Sequence, residues 1–294
     1  DMFYDVPGGV KKMQELYTDY LAQKKALQED RAYFASKTGE LERAYISEID
    51  GSPQPYKLYL PPDFHTKPRK RPCVIMLHGY VPSYTIAQWG EAITEFVNNV
   101  YDMGAVGFQP FGRSNTDFQT VGESDILRIR ELAIEKYDAD PRRIHLVGIS
   151  MGGMGVWSLG GRYSDLFASL SPCAGRTDYY YWNKVKPALL PNYKNLLVKS
   201  WNPVDRLANY RGQNIYIYHG KEDLTVNVEH SYRISDLFNK KYSEHTAQQI
   251  DEAVRNIIRR NYRRTIDLLE KHREKLDIMA DTLLEKEVLN HHDL

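Results

Sequence analysis

Apolar positions in the middle of the chain form short continuous runs that are separated by longer segments with helical spacing. Runs of branched and aromatic residues at 72–78, 105–109 and 144–147 predict buried strands. The segments 88–101 and 123–137 between them predict helices. Strands that alternate with helices indicate a mostly parallel sheet covered on both faces, which is the α/β class.

The same patterns extend this fold in both directions along the chain. Additional strands are predicted at 43–49, 56–60, 166–171 and 214–219, and additional helices at 151–162 and 228–240. The region 171–213 differs, because it combines prolines with the aromatic run Tyr179-Tyr180-Tyr181-Trp182. It predicts an irregular excursion above the sheet, which either shapes a substrate pocket or packs on itself.

Changes of pattern divide the chain into three predicted regions. Residues of about 9–38 carry leucines and tyrosines at helical spacing, so 1–42 is predicted to be an N-terminal helical segment, and residues 43–241 form the α/β domain. Residues 242–294 form a helical tail that opens with the capping box Thr246-x-x-Gln249. We expect the tail to fold as an antiparallel helix pair that turns near residues 271–274.

The amino-acid composition limits the kinds of molecule that the chain is expected to bind. The 294 residues contain 39 Lys and Arg and 39 Asp and Glu, so no net charge favours binding to nucleic acid. No apolar run approaches the about 18 residues of a membrane span. The two cysteines, Cys73 and Cys173, are predicted to be buried free thiols. No metal-binding or cofactor-binding motif is present: the chain lacks His-Glu-x-x-His and Gly-x-x-x-x-Gly-Lys.

The strongest candidate for chemistry is Ser150, in the pattern Gly148-x-Ser150-x-Gly152. This pattern lies between the predicted strand 144–147 and the predicted helix 151–162. A serine at such a sharp turn, called a nucleophile elbow, projects its hydroxyl group above the sheet. The backbone N–H of Met151, at the start of the helix, is a candidate donor to an oxyanion.

Two other loops are predicted at the same edge, because carboxyl ends of parallel strands share one edge of a sheet. Asp223 follows the strand 214–219 and is the candidate triad acid, with Glu222 as the competing carboxylate. The backbone N–H of Tyr80, just past His78-Gly79, is the second candidate oxyanion donor. His78 itself is expected to be a structural hydrogen-bonding residue.

These residues resemble the α/β-hydrolase family, specifically the esterases similar to prolyl oligopeptidase and polyhydroxybutyrate depolymerase. The resemblance covers residues of about 43–241 and implies Ser150 as nucleophile and Asp223 as triad acid. The stretches that carry it are Asp50-Gly51-Ser52-Pro53-Gln54-Pro55-Tyr56, Leu77-His78-Gly79, Asp140-Pro141-Arg142-Arg143-Ile144, Gly148 to Gly153, and His219-Gly220-x-x-Asp223.

The tail resembles a different family, the C-terminal helices of FtsH-type AAA zinc proteases. Tyr262, Leu268-Leu269, Leu276 and Leu283-Leu284-Glu285-Lys286-Glu287 carry this resemblance. In α/β hydrolases one more strand follows the acid, and the catalytic histidine follows that strand. Because the chain changes to the tail instead, the sheet is expected to lack its last strand. The tail is then expected to cover the exposed sheet edge or to self-associate.

No histidine can be assigned as the base from the sequence. His230 opens the helix after the acid loop, where an exposed position is expected; His245 and His272 are placed farther away. We therefore expect a serine hydrolase that acts on small esters or peptides through an acyl-enzyme, impaired by the missing histidine. Two alternatives are a non-enzymatic chimeric chain whose tail is an association module, and a fragment of an FtsH-type protease.

Overall fold

The structure is a computed structural model, which describes residues 9–30, 35–80, 94–241, 259–260 and 262–286. The chain divides into two compact units, Asp1–Ser235 and Asp236–Leu294. Each unit is described by itself below. The predicted capping box Thr246-x-x-Gln249 and His245 lie outside the described residues.

The first unit is built on a sheet of seven strands in the order β1-β2-β4-β3-β5-β6-β7. Strands β3 to β7 run parallel, whereas β2 pairs antiparallel with both β1 and β4. The strands are β1 (Gly39–Ile46), β2 (Pro53–Leu60), β3 (Arg71–Leu77), β4 (Val106–Pro110), β5 (Ala139–Ile149), β6 (Ser169–Cys173) and β7 (Asn214–Ile215). The mostly parallel sheet confirms the predicted fold class.

The last predicted strand is shorter in the structure than the pattern 214–219 indicated. β7 contains two residues, but a bridge between Cys173 and Tyr218 continues the parallel pairing toward the carboxyl end. Tyr216 and Tyr218 also donate backbone hydrogen bonds to Leu170 and Pro172 of the neighbouring β6 region. The chain therefore leaves the sheet at the edge where β5 and β6 end.

Helices connect the strands and form the excursion above the sheet. They are α1 (Gly9–Glu29), α2 (Thr94–Asp102), α3 (Val121–Lys136), α4 (Met151–Arg162), α5 (Tyr179–Trp182), α6 (Asn192–Lys199) and α7 (Glu229–Lys241). Two 3₁₀ segments, Pro187–Leu189 and Pro203–Tyr210, complete the excursion. Helix α4 is almost entirely buried because five of its residues are glycines that allow close packing on the sheet.

The excursion is anchored on α4 by one aromatic contact. Tyr210 packs edge-to-face on Trp157, with ring centroids 5.5 Å apart, and its hydroxyl donates a 2.6 Å hydrogen bond to the Trp157 carbonyl oxygen. A Cβ atom at Gly161 would lie 2.6 Å from that hydroxyl, so glycine is required there. Burial raises the pKa of Tyr210, which keeps the phenol protonated as a donor.

Both cysteines are free thiols, as predicted. Cys73 lies fully buried in β3, and burial raises the pKa of its thiol. Cys173 is half-buried at the end of β6; burial first and the neighbouring Asp223 charge second raise its pKa. The prediction that both thiols are buried is therefore confirmed for Cys73 and only in part for Cys173.

In the second unit, residues 262–271 are helical and a further helix, α8, covers Arg273–Lys286. Only residue 272 interrupts them, and helical hydrogen bonds continue across it, from His272 to Leu268 and from Leu276 to His272. An antiparallel helix pair needs a loop of about 2–5 residues. The turn predicted at 271–274 is thus a break of one residue rather than a hairpin.

A buried arginine at the start of β3 fixes the connections at the far end of the sheet. The Arg71 side chain is fully buried and its guanidinium contacts four oxygen atoms, each 3.0 Å away. They are Oδ1 and the carbonyl oxygen of Asp63 and the carbonyl oxygens of Lys67 and Gly104. One planar fork thereby joins three chain segments.

We predict that Arg71→Lys lowers the free energy of unfolding by about 2 kcal/mol or more, because one ammonium group cannot reach all four buried oxygens. Denaturant unfolding followed by circular dichroism measures the loss. Arg69→Lys is the matched control, because Arg69 is half exposed and only approaches Asp63 at 3.7 Å. Equal losses in the two variants would contradict the role given to Arg71.

Candidate active site

Ser150 occupies the sharp turn that its sequence pattern predicted. It joins the end of β5 to the first residue of α4 and has φ 54° and ψ −112°, a backbone conformation that costs energy for a residue with a side chain. Its N–H donates a 2.8 Å hydrogen bond to the carbonyl oxygen of Cys173, at the end of β6. This bond helps to hold the strained turn in place.

The glycines around Ser150 are required by backbone contacts. A Cβ atom at Gly152 would lie 2.1 Å from the Leu77 carbonyl oxygen, and one at Gly148 would lie 2.4 Å from the Gly152 carbonyl oxygen. At Gly153 the Cys173 carbonyl oxygen would be 2.6 Å away. The helix α4 can therefore approach β3 and β6 only when these positions have no side chain.

We predict that Gly152→Ala destabilises the protein by more than about 2 kcal/mol, because its methyl group would overlap backbone that cannot move independently. The control is Gly220→Ala, since nothing lies within 4 Å of a Cβ atom there. That change should alter the free energy of unfolding by less than about 0.5 kcal/mol. Thermal and denaturant unfolding of both variants provide the comparison, and similar stabilities would contradict the contact argument.

Asp223 lies on the loop after β7, at the same sheet edge as Ser150. Its Oδ1 atom accepts hydrogen bonds from the N–H groups of Val226 and Thr225, at 2.9 and 2.8 Å. These bonds, first that of Val226, and the nearby His219 ring lower the pKa of the carboxyl group. Asp223 is thus held as an ionised carboxylate, while the competing Glu222 is exposed.

A cavity of about 330 Å³ opens beside Ser150. Its walls include the two residues predicted to supply oxyanion donors, Tyr80 and Met151, and it is completed by Asp117, Arg176, Trp182, Thr225 and Val226. As the first residue of α4, Met151 has an N–H outside the repeating hydrogen bonds of the helix. A Cβ atom at Gly79 would lie 3.7 Å from Ser150 Cβ, so the Gly79–Tyr80 segment lies against the Ser150 turn.

Asp223 lines a second cavity, of about 570 Å³, which shares Trp182 and Thr225 with the first. His230 and residues 180–182 and 184–186 of the excursion also line it. The predicted aromatic run therefore borders both cavities. Both alternatives for this region describe it, because it lines the cavities and also packs on itself: Tyr179 lies edge-to-face on Trp201, and the Tyr180 hydroxyl donates to Asn195.

An arginine that the sequence pattern did not single out lies in the wall of the Ser150 cavity. Arg176 forms an ion pair with Asp117, and its guanidinium lies 5.3 Å from the centre of the Trp182 ring. The pair connects the loop after β4 to the excursion. Arg176 lies three residues after Cys173, the last residue of β6. This closeness to the end of a strand is the sequence feature that could have indicated Arg176 as a site residue.

Two histidines of the first unit are held in structural hydrogen bonds near this edge. His219 has Nε2 2.7 Å from the Val226 carbonyl oxygen and 3.5 Å from Asp223 Oδ2, and its Nδ1 2.7 Å from the Ser231 hydroxyl. His78 has its two ring nitrogens 2.9 and 3.0 Å from carbonyl oxygens of Gly79 and Phe111. This arrangement agrees with the structural role expected for His78.

His230 contradicts the expectation of an exposed position, because it is 1% exposed. Its Nδ1 accepts a 3.2 Å hydrogen bond from the N–H of Thr177, and its ring packs edge-to-face on Tyr181. Burial lowers its pKa from 6.5 to about 4, so the ring is neutral at pH 7. With Nδ1 occupied as acceptor, the neutral ring carries its proton on Nε2, which therefore cannot accept a proton from a serine.

We predict that His230 makes the protein less stable in acid. Between pH 6.5 and 4 the unfolded chain protonates this histidine and the folded chain does not, so the free energy of unfolding falls as pH decreases. A full proton difference corresponds to about 1.4 kcal/mol per pH unit. His230→Asn keeps an acceptor for the Thr177 N–H without titrating, and its unfolding free energy should change less steeply over this range. Parallel slopes for the two proteins would contradict the assignment.

Sequence comparison identifies the tail. Residues 221–294 match the family model of Peptidase family M41. The mitochondrial ATP-dependent zinc metalloprotease FTSH 10 of Arabidopsis thaliana is 48% identical over 59 residues, and the FtsH protease of Rhodothermus marinus is 45% identical over 71 residues. These matches cover 20% and 24% of this chain but only 7% and 10% of the relatives. The chain thus spans a tenth or less of their length.

Structure comparison identifies the fold of the first unit. A thermostable esterase aligns with a TM-score of 0.50 at 21% identity, covering 68% of this chain and 51% of its own. A protein assigned as a dipeptidyl aminopeptidase IV from Bacteroides ovatus aligns with a TM-score of 0.54 at 18% identity, covering 70% and 31%. S-formylglutathione hydrolase of Staphylococcus aureus aligns at 0.52 and 14% identity, covering 68% and 86%.

These findings confirm both resemblances at the level of fold and tail. The α/β unit has the α/β-hydrolase fold, and the C-terminal region is similar to the end of FtsH proteases. The M41 match begins at residue 221, so Asp223 and His230 lie within it. Among the helices that the structure describes, none combines the length and apolar character needed to cross a bilayer.

Proposed function

We propose that residues 43–241 form a serine hydrolase domain that acts on small esters or peptides through an acyl-enzyme on Ser150. The observation that carries this proposal is the strained Ser150 turn at the mouth of a cavity. Thr120, at the start of α3, has nearly the same backbone conformation, with φ 51° and ψ −115°. Thr120 is exposed, however, whereas Ser150 is half-buried and lines the 330 Å³ cavity.

In the proposed reaction, Ser150 Oγ attacks the carbonyl carbon of a substrate bound in the 330 Å³ cavity. Negative charge then develops on the carbonyl oxygen. The N–H groups of Met151 and Tyr80 are the proposed donors to this oxyanion, and the N-terminal end of α4 adds a favourable dipole. Release of the alcohol or amine leaves the acyl group on Ser150, and water hydrolyses it.

Asp223 is the proposed acid of the triad, but its present partners are structural. Oδ1 accepts two backbone N–H bonds, and Oδ2 lies nearest to His219, whose Nε2 hydrogen-bonds the Val226 carbonyl oxygen. Among the described residues at this edge, His78, His219 and His230 have no ring nitrogen free to take the Ser150 proton. We therefore propose that proton removal, rather than substrate binding, limits the hydrolase.

We predict that the wild-type protein hydrolyses a short activated ester slowly and that Ser150→Ala lowers the rate further. Catalysis without a base retains about 10³–10⁴-fold acceleration over water from the oxyanion donors and positioning. Release of p-nitrophenol from p-nitrophenyl acetate measures it, and labelling by a fluorophosphonate probe reports whether Ser150 is activated. Equal rates for wild type and Ser150→Ala would reject Ser150 as the nucleophile.

The variant Asp223→Asn distinguishes a site that lacks a catalytic base from a site with a working triad. The Asn oxygen still accepts the N–H bonds of Thr225 and Val226, so the loop keeps its conformation. A working triad loses about 10⁴-fold in kcat when its acid becomes an amide. We expect a change of less than about ten-fold here, because the histidine that the described structure places beside this carboxylate, His219, is already held by Val226 and Ser231. A large loss together with fast wild-type turnover would show that a base is present.

A non-enzymatic chain that associates through its tail is the second candidate, and the M41 match over residues 221–294 favours it. The mass of the full chain in solution, measured together with its esterase rate, distinguishes the hydrolase from the association module. An oligomer that lacks Ser150-dependent hydrolysis would support the association module. The third candidate, an FtsH-type protease fragment, is supported by the same residues alone.

A further inference from the structure

The excursion presents an apolar helix face to solvent. In α6, Tyr193, Leu196 and Leu197 lie on one face and are 61%, 69% and 62% exposed. Leu189, in the preceding 3₁₀ segment, is 76% exposed. The opposite face packs on the protein through buried Val198. The helix is therefore already attached by its inner face, and its outer face is free for another contact.

Lysines surround this apolar face. At about 100° per residue, Lys194 and Lys199 lie on opposite sides of the Tyr193–Leu197 face. Residues 183–200 contain four lysines, the other two being Lys184 and Lys186, and no acidic residue. All four are exposed, and none is paired with a carboxylate among the residues that the structure describes. The positive charge is local, since the whole chain is neutral.

This combination of an apolar face with flanking lysines matches the chemistry of an anionic lipid surface. Apolar side chains enter the boundary of the acyl chains, while the lysine stems extend along them and place their ammonium groups among the headgroups. A protein partner fits less well. A helix of eight residues, about 12 Å long, presents far less than the about 800 Å² per partner that stable interfaces bury.

We propose that the surface formed by Leu189, Tyr193, Leu196 and Leu197, with Lys194 and Lys199 beside it, docks on anionic lipid membranes. The docked chain lies on the membrane and does not span it. Lys184 and Lys186 line the same 570 Å³ cavity as Asp223, so the lysine-rich segment continues from the docking surface to the candidate site. Docking is independent of Ser150 chemistry, and its test measures binding alone.

The test is cosedimentation of the full chain with vesicles of phosphatidylcholine, with and without phosphatidylglycerol. We expect binding only with phosphatidylglycerol, and a decline with added salt. Leu196→Asn with Leu197→Asn should weaken partitioning about ten-fold or more. Lys194→Gln with Lys199→Gln should weaken it about 25-fold, at about five-fold per lysine. Ser150→Ala should bind as wild type does.

Matched controls make the result specific to this surface. Ile46→Asn removes an apolar side chain that is 66% exposed at the end of β1, and Lys136→Gln removes an exposed charge from the last turn of α3. Both should bind as wild type does. Circular dichroism and thermal unfolding verify that each variant is folded.

Three outcomes would overturn the proposal. Equal binding to neutral and anionic vesicles would remove the role of the lysines. Binding that survives the leucine substitutions but is lost when Arg259, Arg260, Arg263 and Arg264 become Gln would place the contact in the second unit. A dimer in sedimentation equilibrium that the leucine substitutions dissociate, with no vesicle binding, would identify a second copy as the occupant.

Discussion

Backbone-to-backbone contact around Ser150 is the constraint on which the site depends. At Gly148, Gly152 and Gly153, a side chain would overlap main-chain atoms of the same turn or of the loops that follow β3 and β6. This contact sets the distance between α4 and the sheet, and so determines where the helix begins. The Ser150 N–H bond to Cys173 then links the turn to the next strand. A strained conformation persists because its neighbours determine it from several sides.

The sequence alone predicted those structural features whose conformation follows from a short stretch of residues. The Ser150 turn, the alternation of strands with helices and the loop that carries Asp223 each follow from a short pattern and were found in the expected order. A glycine pattern or an apolar run predicts the conformation of the residues that form it. The α/β-hydrolase fold and the FtsH-like tail were recognisable for the same reason, since their motifs occupy continuous stretches.

Features that depend on distant contacts were missed. His230 begins a helix, which suggested an exposed position, but Thr177 and Tyr181 from the excursion bury it. The pairing of Arg176 with Asp117 joins residues 59 positions apart and leaves no local pattern. The strand expected at 214–219 contains only two residues in regular pairing, and beyond them single backbone contacts of Tyr216 and Tyr218 continue the pairing.

The excursion is attached to the protein at both of its ends, and this attachment affects how its sequence can diverge. Tyr210 contacts Trp157, while Arg206 and Asn209 donate to the Gly161 carbonyl oxygen, so the far end of the excursion is fixed to the helix that begins after Ser150. Asp178 fixes the near end, capping α5 and pairing with Arg233. Insertions and deletions between these two anchors can accumulate while the turn keeps its geometry. The segment can therefore evolve new recognition properties independently of the chemistry beneath it.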